Sequence, residues 1–270
     1  MNGLLIIDKP AGMTSHDVVS VVRRVTGERS VGHLGTLDPM ATGVLPLLLG
    51  KYTRLAQFFS DSDKYYTGTI RFGFATDTFD GEGEPQSAPI PLALTLDQLR
   101  SLAMRFQGTI DQVPPVYSAK KIGGVPAHKL ARAGKEVPVK AARITIHDFT
   151  LDALDGDTAS FTMHVSAGGY VRSVAHELGQ LAECGAHLAS LRRTQAGAFT
   201  LARSLTADEL KALGPAEIEM RLPHPRTMLP DLPSVIVDEL TSGRIRNGMQ
   251  VNVQELSAAP LIKEIGRAHV

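Results

Sequence analysis

Cysteine is almost absent from this sequence, because Cys184 is the only one among 270 residues. One thiol cannot form an internal disulfide bond or supply a cysteine-rich zinc site, and low cysteine content is typical of a reducing cytosol. The longest apolar runs, such as 44–49, fall far short of the ~20 residues that span a bilayer. The N-terminus lacks the basic-then-apolar pattern of an export signal. These absences predict a cytoplasmic protein with no membrane segment and no metal site.

An excess of either charge is missing as well, since 28 Lys and Arg residues balance 28 Asp and Glu residues. A non-specific nucleic-acid binder would usually be basic overall. The local distribution differs from the average, because residues 118–147 carry seven basic residues and one acid, Glu136. This segment could bind phosphate groups, and a solvated surface is the alternative that composition leaves open.

The pattern of apolar residues predicts a mixed α and β protein. Ordinary globular composition, with 43% hydrophobic and 21% charged residues, excludes disordered, collagen-like and coiled-coil chains. Short β-type runs alternate with segments of helical period. The β-type runs are 4–7, 67–74, 144–151, 160–166 and 235–237, and the helical segments are 15–25, 96–105, 127–133 and 171–184.

The last quarter of the chain contains residues that typically begin and end helices. Thr206-Ala-Asp-Glu209 is a capping box that predicts the start of a short helix, and Gly214-Pro215 predicts its end. Two prolines then interrupt Met228-Leu-Pro-Asp-Leu-Pro233. We therefore predict a main domain over 1–232 and a short segment over 233–270.

Several familiar enzyme signatures are absent. Gln180 stands where a zincin helix that began with His176-Glu177 would need its second histidine. No phosphate-binding Gly-Lys-Ser/Thr loop occurs, and Gly32-His-Leu-Gly35 lacks the third glycine of a dinucleotide fingerprint. No serine has nucleophile-elbow glycines around it. These absences argue against zincin, P-loop, dinucleotide-binding and α/β-hydrolase chemistry.

Asp38 is the first candidate for chemistry. It precedes Pro39 between two glycine-bearing turns, and proline disfavours helical geometry in the residue before it. This pattern predicts a carboxylate presented from a rigid loop. A helix cap or an ordinary turn is the alternative.

Arg172 is the second candidate. The cluster Gly168-Gly-Tyr-Val-Arg172 places an aromatic ring and a guanidinium at the start of a helix. Arg172 could pair with a buried Asp38 and keep it ionised. An ordinary structural ion pair is the alternative.

Seven motifs in order, which cover about 70% of the chain, resemble the bacterial tRNA pseudouridine synthases of the TruB type. Enzymes of that family isomerise uridine 55 in the T-loop of tRNA. The Gly-His-x-Gly-x-Leu-Asp-Pro block is the most specific of the motifs. They are Leu-Leu-Ile-Ile-Asp-Lys-Pro-Ala-Gly-Met-Thr-Ser15, Gly32-His to Leu45, Asp63-Lys-Tyr-Tyr66, Thr76-Asp-Thr78 with Asp80, Pro114-Pro-Val-Tyr-Ser-Ala119, Gly169-Tyr-Val-Arg172, and Cys184-Gly-Ala-His-Leu188 with Leu191-Arg-Arg193.

The resemblance implies a catalytic set of three residues. Asp38 would be the nucleophile, Tyr66 would stack on the target uracil and assist proton transfer, and Arg172 would pair with Asp38. It also implies substrate-binding roles for His33, Tyr170, Leu191 and Lys9. The family's RNA-clasping insertion matches about 118–143, so it implies RNA contacts for Lys120, Lys121, Lys129 and Arg132. Two positions depart from the family pattern: Gly169 replaces a commoner Thr or Ser, and His176 stands where an acid is common.

The same resemblance implies an α+β pseudouridine synthase fold, with a central mixed, mainly antiparallel sheet flanked by helices and loops. The segment 233–270 would be a reduced PUA-like appendage. No cofactor is expected, because the isomerisation involves no redox step and no external group. The expected partner is the T-arm of tRNA, with no obligate protein partner and a monomeric enzyme. A synthase for another structured RNA, or a tRNA-folding chaperone without turnover, is the alternative.

The basic segment gives a first testable prediction. Neutralising Lys120, Lys121, Lys129 and Arg132 together should weaken tRNA binding and reduce the slope of log affinity against log salt by about 0.7–0.9 for each phosphate that is no longer neutralised. Filter binding across a salt series measures the slope, with Lys211→Gln, outside the segment, as the control. An unchanged slope would indicate that the segment is a solvated surface that makes no phosphate contacts.

Overall fold

The computed structural model describes residues 1–118, 121–122, 125–127, 130, 140–229, 232, 234–250 and 263–264. The chain divides into two compact units, Met1–Ile218 and Glu219–Val270. The division lies before the boundary near 232 that the two prolines predict, and that boundary stays a prediction. Among the described residues, no helix is both long and apolar enough to cross a membrane.

Most of the secondary structure belongs to the first unit. Its strands are β1 (Gly3–Lys9), β2 (Val31–His33), β3 (Thr42–Leu49), β4 (Lys64–Phe72), β5 (Gly108–Gln112), β6 (Lys121–Ile122), β7 (Val125–Pro126), β8 (Ala142–Asp155), β9 (Thr158–Val165), β10 (Ala186–Ala196), β11 (Phe199–Thr200) and β12 (Leu205–Thr206). Its α-helices are α1 (Ser15–Thr26), α2 (Leu96–Ala103), α3 (Val171–Leu181), α4 (Ala207–Ala212) and the start of α5 (Pro215–Arg221). Single 3-10 segments lie at Gly50–Phe59, Met104–Phe106 and Leu201–Arg203.

Ten of these strands form one mixed sheet in the described part of the chain. Their order is β12-β1-β3-β10-β4-β9-β8-β5, with β2 beside β3 and β11 beside β10. Only the pairs β1–β12 and β3–β10 are parallel; the other seven pairs are antiparallel. The predicted mixed, mainly antiparallel sheet with flanking helices is therefore confirmed.

Helix α1 follows directly from its sequence. Thr14 and Asp17 form a reciprocal capping box, in which each side chain accepts a hydrogen bond from the other residue's backbone amide. Val18, Val19 and Val22 recur at helical spacing and are buried. The helix predicted over 15–25 is confirmed. The predicted capping box at Thr206 and Glu209 likewise begins α4.

Strand β3 fixes the position of the Asp38 loop. Seven of its eight residues are buried, as expected for a strand with neighbours on both edges. One edge pairs with β1 from Gly43 to Leu49, whereas the other edge pairs with β10 at Thr42–Gly43 and with β2 at Leu47–Leu49. The loop 34–41, which connects β2 to β3, therefore lies where the partner of β3 changes.

The described residues of the second unit contain the end of α5, a 3-10 segment at Pro225–Thr227 and the helix α6 (Glu239–Arg246). They also contain a parallel pair of two-residue strands, β13 (Ser234–Val235) and β14 (Lys263–Glu264). Asp238 caps α6, because its Oδ1 accepts a hydrogen bond of 2.7 Å from the Thr241 amide. Most of 251–270 lies outside the described residues, so the PUA-like interpretation stays a prediction. Most of the helix predicted over 127–133 also lies outside them.

Gly43 gives a stability prediction. Its φ is +104°, and a Cβ there would lie 2.2 Å from the Arg193 carbonyl oxygen. Gly108 has a similar φ of +97° but no atom within 4 Å of its Cβ position. Gly108→Ala should cost about 1–2 kcal/mol from backbone strain alone, and Gly43→Ala should cost about 1–3 kcal/mol more because β3 and β10 must move apart. Urea unfolding measures both, and equal destabilisation would contradict the close approach.

Candidate active site

The loop that carries Asp38 is anchored on both sides of that residue. The Ser15 hydroxyl accepts a hydrogen bond of 2.9 Å from the Leu37 amide and donates one of 3.1 Å to the Leu37 carbonyl. The Pro39 carbonyl accepts from the Gly12 amide at 2.9 Å and from Lys9 Nζ at 3.1 Å. The backbone around Asp38 is therefore held by α1 and by the segment before it, as the Asp-Pro pattern predicts for a rigid loop.

Arg172 lies in the first turn of α3 and points its guanidinium at Asp38. Nε is 2.9 Å from Asp38 Oδ2 and Nη2 is 3.2 Å from Oδ1, a two-point contact. Nη1 donates to the Thr78 carbonyl at 3.0 Å, and Nη2 donates to the Tyr117 carbonyl at 2.8 Å. The Arg172 side chain is 6% exposed, whereas that of Asp38 is 33% exposed. The guanidinium is thus fixed from behind, and the carboxylate faces open space.

Asp80 is a second carboxylate on the same guanidinium, and sequence reasoning gave it no role. Its Oδ2 lies 3.3 Å from Arg172 Nη1, and its side chain is 5% exposed. Its Oδ1 accepts hydrogen bonds from the Thr78 hydroxyl at 2.6 Å and the Glu82 amide at 3.1 Å. The Thr76 hydroxyl donates to the Asp80 carbonyl at 2.6 Å. The Thr-x-Thr-x-Asp spacing was the available signal for this locally stabilised carboxylate.

The surroundings of Asp38 raise its pKa above the usual range. Desolvation by burial is the largest cause, and the nearby charge of Asp80 acts in the same direction. Arg172 and Lys9 oppose the rise because both cations stabilise the ionised form. Ionising Asp38 therefore has a free-energy cost that these two cations reduce but do not cancel.

A cavity of about 380 Å³ opens in front of Asp38. It brings together five of the residues that the sequence predicts for the site: Asp38, Tyr66, Tyr170, Arg172 and Leu191. Tyr66 comes from β4 and Leu191 from β10, two strands that pair antiparallel. Gln112 bonds both the amide and the carbonyl of Tyr170, at 2.8 and 3.0 Å. These five residues contribute an ion pair, two phenol side chains and an aliphatic side chain to the lining.

His33 and Lys9 are near Asp38 but do not line that cavity. A neighbouring cavity of about 640 Å³ shares Asp38 and Arg172 and is lined by His33, whose pKa is lowered by burial. Lys9 is completely buried, and its Nζ donates to the carbonyls of Pro10, Met13 and Pro39 at 2.9, 2.6 and 3.1 Å. Burial lowers the pKa of Lys9 to about 8, although Asp38 acts to raise it.

Two basic side chains in the cavity were not identified as site residues from the sequence. Arg193 is 1% exposed and donates to the Val44 carbonyl at 2.8 Å and the Gly35 carbonyl at 3.0 Å. Lys64 donates to the Ser62 carbonyl, and burial lowers its pKa. Lys64 shares a face of β4 with Tyr66 because the two are two residues apart, which was the signal for it. Of the four predicted RNA contacts, Lys121 begins β6, whereas Lys120, Lys129 and Arg132 lie outside the described residues.

Solved structures of Cbf5 complexes share this fold. A crystal structure of an archaeal box H/ACA sRNP Nop10–Cbf5 complex superposes with a TM-score of 0.67, at 24% identity, over 92% of this chain and 68% of that chain. A Cbf5–Nop10–Gar1 complex gives a TM-score of 0.63 at 26% identity, over 91% of this chain and 67% of that chain.

The family model described as "TruB family pseudouridylate synthase (N terminal domain)" matches residues 23–171, and the "tRNA pseudouridylate synthase B C-terminal domain" model matches 172–221. The tRNA pseudouridine synthase B of Solibacter usitatus is 44% identical over 98% of this chain and 91% of its own length. That of Aromatoleum aromaticum is 41% identical over 98% and 86%. The chain belongs to the TruB family of pseudouridylate synthases, which confirms the resemblance seen in the motifs.

The raised pKa of Asp38 predicts how stability depends on pH. Between the unfolded pKa of about 3.9 and the higher folded pKa, the folded protein binds more protons than the unfolded chain, so this residue's contribution to the free energy of unfolding falls as pH rises. Asp38→Asn should therefore gain stability relative to wild type at pH 7, and the gain should shrink as pH falls toward 4. Urea unfolding across this range measures the difference.

Asp157 is the control of opposite sign for that experiment. A hydrogen bond from Thr158 and the nearby Arg71 lower the pKa of Asp157, so its contribution to stability is present at neutral pH and disappears as pH falls. Asp157→Asn should therefore be slightly less stable than wild type at pH 7 and approach wild type in acid. The same sign for both variants would contradict the electrostatics described for Asp38.

Proposed function

We propose that this protein isomerises uridine 55 in the T-loop of tRNA to pseudouridine, with Asp38 as the nucleophile. The observation that carries the proposal is the Asp38 carboxylate, held at two points by buried Arg172 and facing a cavity lined by Tyr66 and Tyr170. Relatives that are more than 40% identical over nearly the whole chain are named tRNA pseudouridine synthase B, which supports tRNA as the substrate.

The shape of the cavity supports a flipped-out base. A uridine within a folded T-loop is stacked, so it must leave the stack before a carboxylate inside a pocket can reach it. A volume of about 380 Å³ accommodates a single nucleotide base with part of its sugar. Stacking on the Tyr66 ring would return roughly 1–3 kcal/mol of the stacking that the base loses.

The chemistry needs a nucleophile that adds and later leaves. Asp38 would form a bond to the sugar or to the uracil ring as the C–N glycosidic bond breaks, and it would depart once C5 of the rotated uracil has bonded to the sugar. C5 must then lose its proton, and N1, freed from the sugar, takes up one, so that product and substrate are isomers. The Tyr66 hydroxyl is the group we assign to assist the transfer from C5. The isomerisation is redox-neutral, so it needs no electron donor or acceptor.

Arg172 supports this role in two ways. It favours the ionised form of Asp38 against the desolvation that raises the carboxylate's pKa. Its two-point contact also fixes the carboxylate plane, because Asp80 and two backbone carbonyls hold the guanidinium from the other side. Arg172 thus favours the ionised form of the nucleophile and fixes its orientation.

Recognition of the RNA is assigned to groups around the cavity. Lys64 lines it and can neutralise a phosphate next to the flipped nucleotide. His33 lines the neighbouring cavity, where it would contact the rearranged loop. The basic segment 118–143 would hold the T-arm stem, and we propose that the enzyme works as a cytoplasmic monomer without a protein partner.

Replacing the proposed nucleophile tests the function. Asp38→Asn keeps the side-chain shape but is a far weaker nucleophile, so turnover should fall by more than about 100-fold, or about 2.7 kcal/mol, while tRNA binding persists. Tritium release from C5-labelled tRNA, together with filter binding, measures both quantities. Asp61→Asn, which changes an exposed carboxylate, is the matched control and should keep full activity.

The substrate position is tested with the wild-type enzyme. A tRNA transcript with cytidine at position 55 should release no tritium, whereas an isolated T-arm stem-loop should be modified. Release from the cytidine transcript would point to another uridine or another RNA. Full activity of Asp38→Asn would remove this residue from the mechanism, and binding without any turnover by wild type would favour a chaperone.

A further inference from the structure

Three side chains that the proposed reaction does not use come together on the sheet: Asp63, His147 and His164. Asp63 directly precedes β4, His164 lies on β9 opposite Tyr65, and His147 is the extra residue at an irregularity in the pairing of β8 with β9. The irregularity aims His147 toward its neighbour strand. The three residues are far apart in sequence, and the sheet brings them to one place.

Their ligand atoms converge on a small volume. His164 Nε2 is 2.9 Å and His147 Nε2 is 3.3 Å from the same oxygen, Asp63 Oδ2. All three ligand atoms lie within 4.8 Å of one another. Around a tetrahedral Zn²⁺ with bonds of about 2.0–2.2 Å, neighbouring ligand atoms are roughly 3.4 Å apart. The two nitrogen–oxygen distances in the cluster, 2.9 and 3.3 Å, are close to that value.

The rings are also held in place before any ligand arrives. The Tyr65 ring stacks on His164 at 4.0 Å with an angle of 12°, and His147 stacks on the other histidine at 4.3 Å. The Gly197 amide donates to the Asp63 carbonyl at 2.8 Å and fixes the backbone of the carboxylate. Little conformational freedom is therefore left for the three groups to lose on binding.

The exposure of the cluster suits an ion that enters from solvent. The side chains of His147, Asp63 and His164 are 39%, 38% and 24% exposed. Two imidazole nitrogens and one carboxylate oxygen form a donor set that suits Zn²⁺ and similar divalent ions, with water in the remaining position. A hydrogen-bonded His–Asp–His triad without an ion is the competing interpretation.

We propose that Asp63, His147 and His164 bind one divalent transition-metal ion of the Zn²⁺ class. The ion would join the start of β4 to β8 and β9 and thus brace the strand that carries Tyr66 on its opposite face. This inference does not depend on the proposed reaction, and it departs from the expectation of no metal site, which the sequence supports only by its lack of cysteine.

The test titrates the full-length, untagged protein with Zn²⁺ against a chromophoric chelator, and with Co²⁺ for its visible absorption. We expect one equivalent to bind. His147→Ala, His164→Ala and Asp63→Asn should each weaken binding by at least about 10–100-fold. His224→Ala, which removes an exposed histidine outside the cluster, should leave binding unchanged. Absence of stoichiometric binding to wild type, or equal affinity in the cluster variants, would overturn the proposal.

A second measurement separates loss of the site from loss of the fold. Zn²⁺ should raise the unfolding temperature of wild type and of His224→Ala, because a ligand that prefers the folded state stabilises it. It should leave the unfolding temperature of Asp63→Asn unchanged, while circular dichroism shows that this variant is folded. A Zn²⁺ shift in Asp63→Asn equal to that of wild type would assign the ion elsewhere and refute the site.

Discussion

The pocket depends on one buried guanidinium. Arg172 contacts two carboxylates, Asp38 and Asp80, and the fully buried ammonium of Lys9 lies nearby. Both cations favour the ionised form of Asp38 and oppose the effect of its desolvation. Buried ions are tolerated when every donor and acceptor has a partner. Asp80 is satisfied by its own turn, which leaves Asp38 as the carboxylate with open space in front of it.

Local patterns made part of this site predictable. An acid before proline indicates a loop, and that pattern correctly placed Asp38 there. The residues alone left two interpretations of Arg172 open, and the family motifs favoured its pairing with Asp38. Asp80 belongs to one of those motifs, yet its role depends on Arg172, which lies 92 residues further along the chain. A contact between two such distant segments depends on the fold, so it cannot be predicted from a single sequence alone.

Strands β3 and β10 were harder to predict, for a physical reason. A strand with neighbours on both edges and both faces covered loses the alternation of apolar and polar residues that identifies a half-exposed strand. Strand β3 is a continuous apolar run with a proline in it, and β10 carries three charged or polar residues in a row at Arg192–Thr194. The cluster of Asp63, His147 and His164 could not be predicted for a different reason: its members meet only through the pairing of β4, β8 and β9.

The position of β10 also affects how the protein is made. This strand lies between β3 and β4, both of which are complete by Phe72, yet β10 itself begins at Ala186. A ribosome that adds roughly 5–20 residues per second needs on the order of ten seconds to synthesise the intervening chain. During that interval β4 lacks the strand that will cover one of its edges, and β3 lacks its partner at Thr42–Gly43. Unpaired edges of this kind invite pairing with other chains. The order of synthesis therefore leaves the middle of the sheet open until the ribosome has passed Ala196.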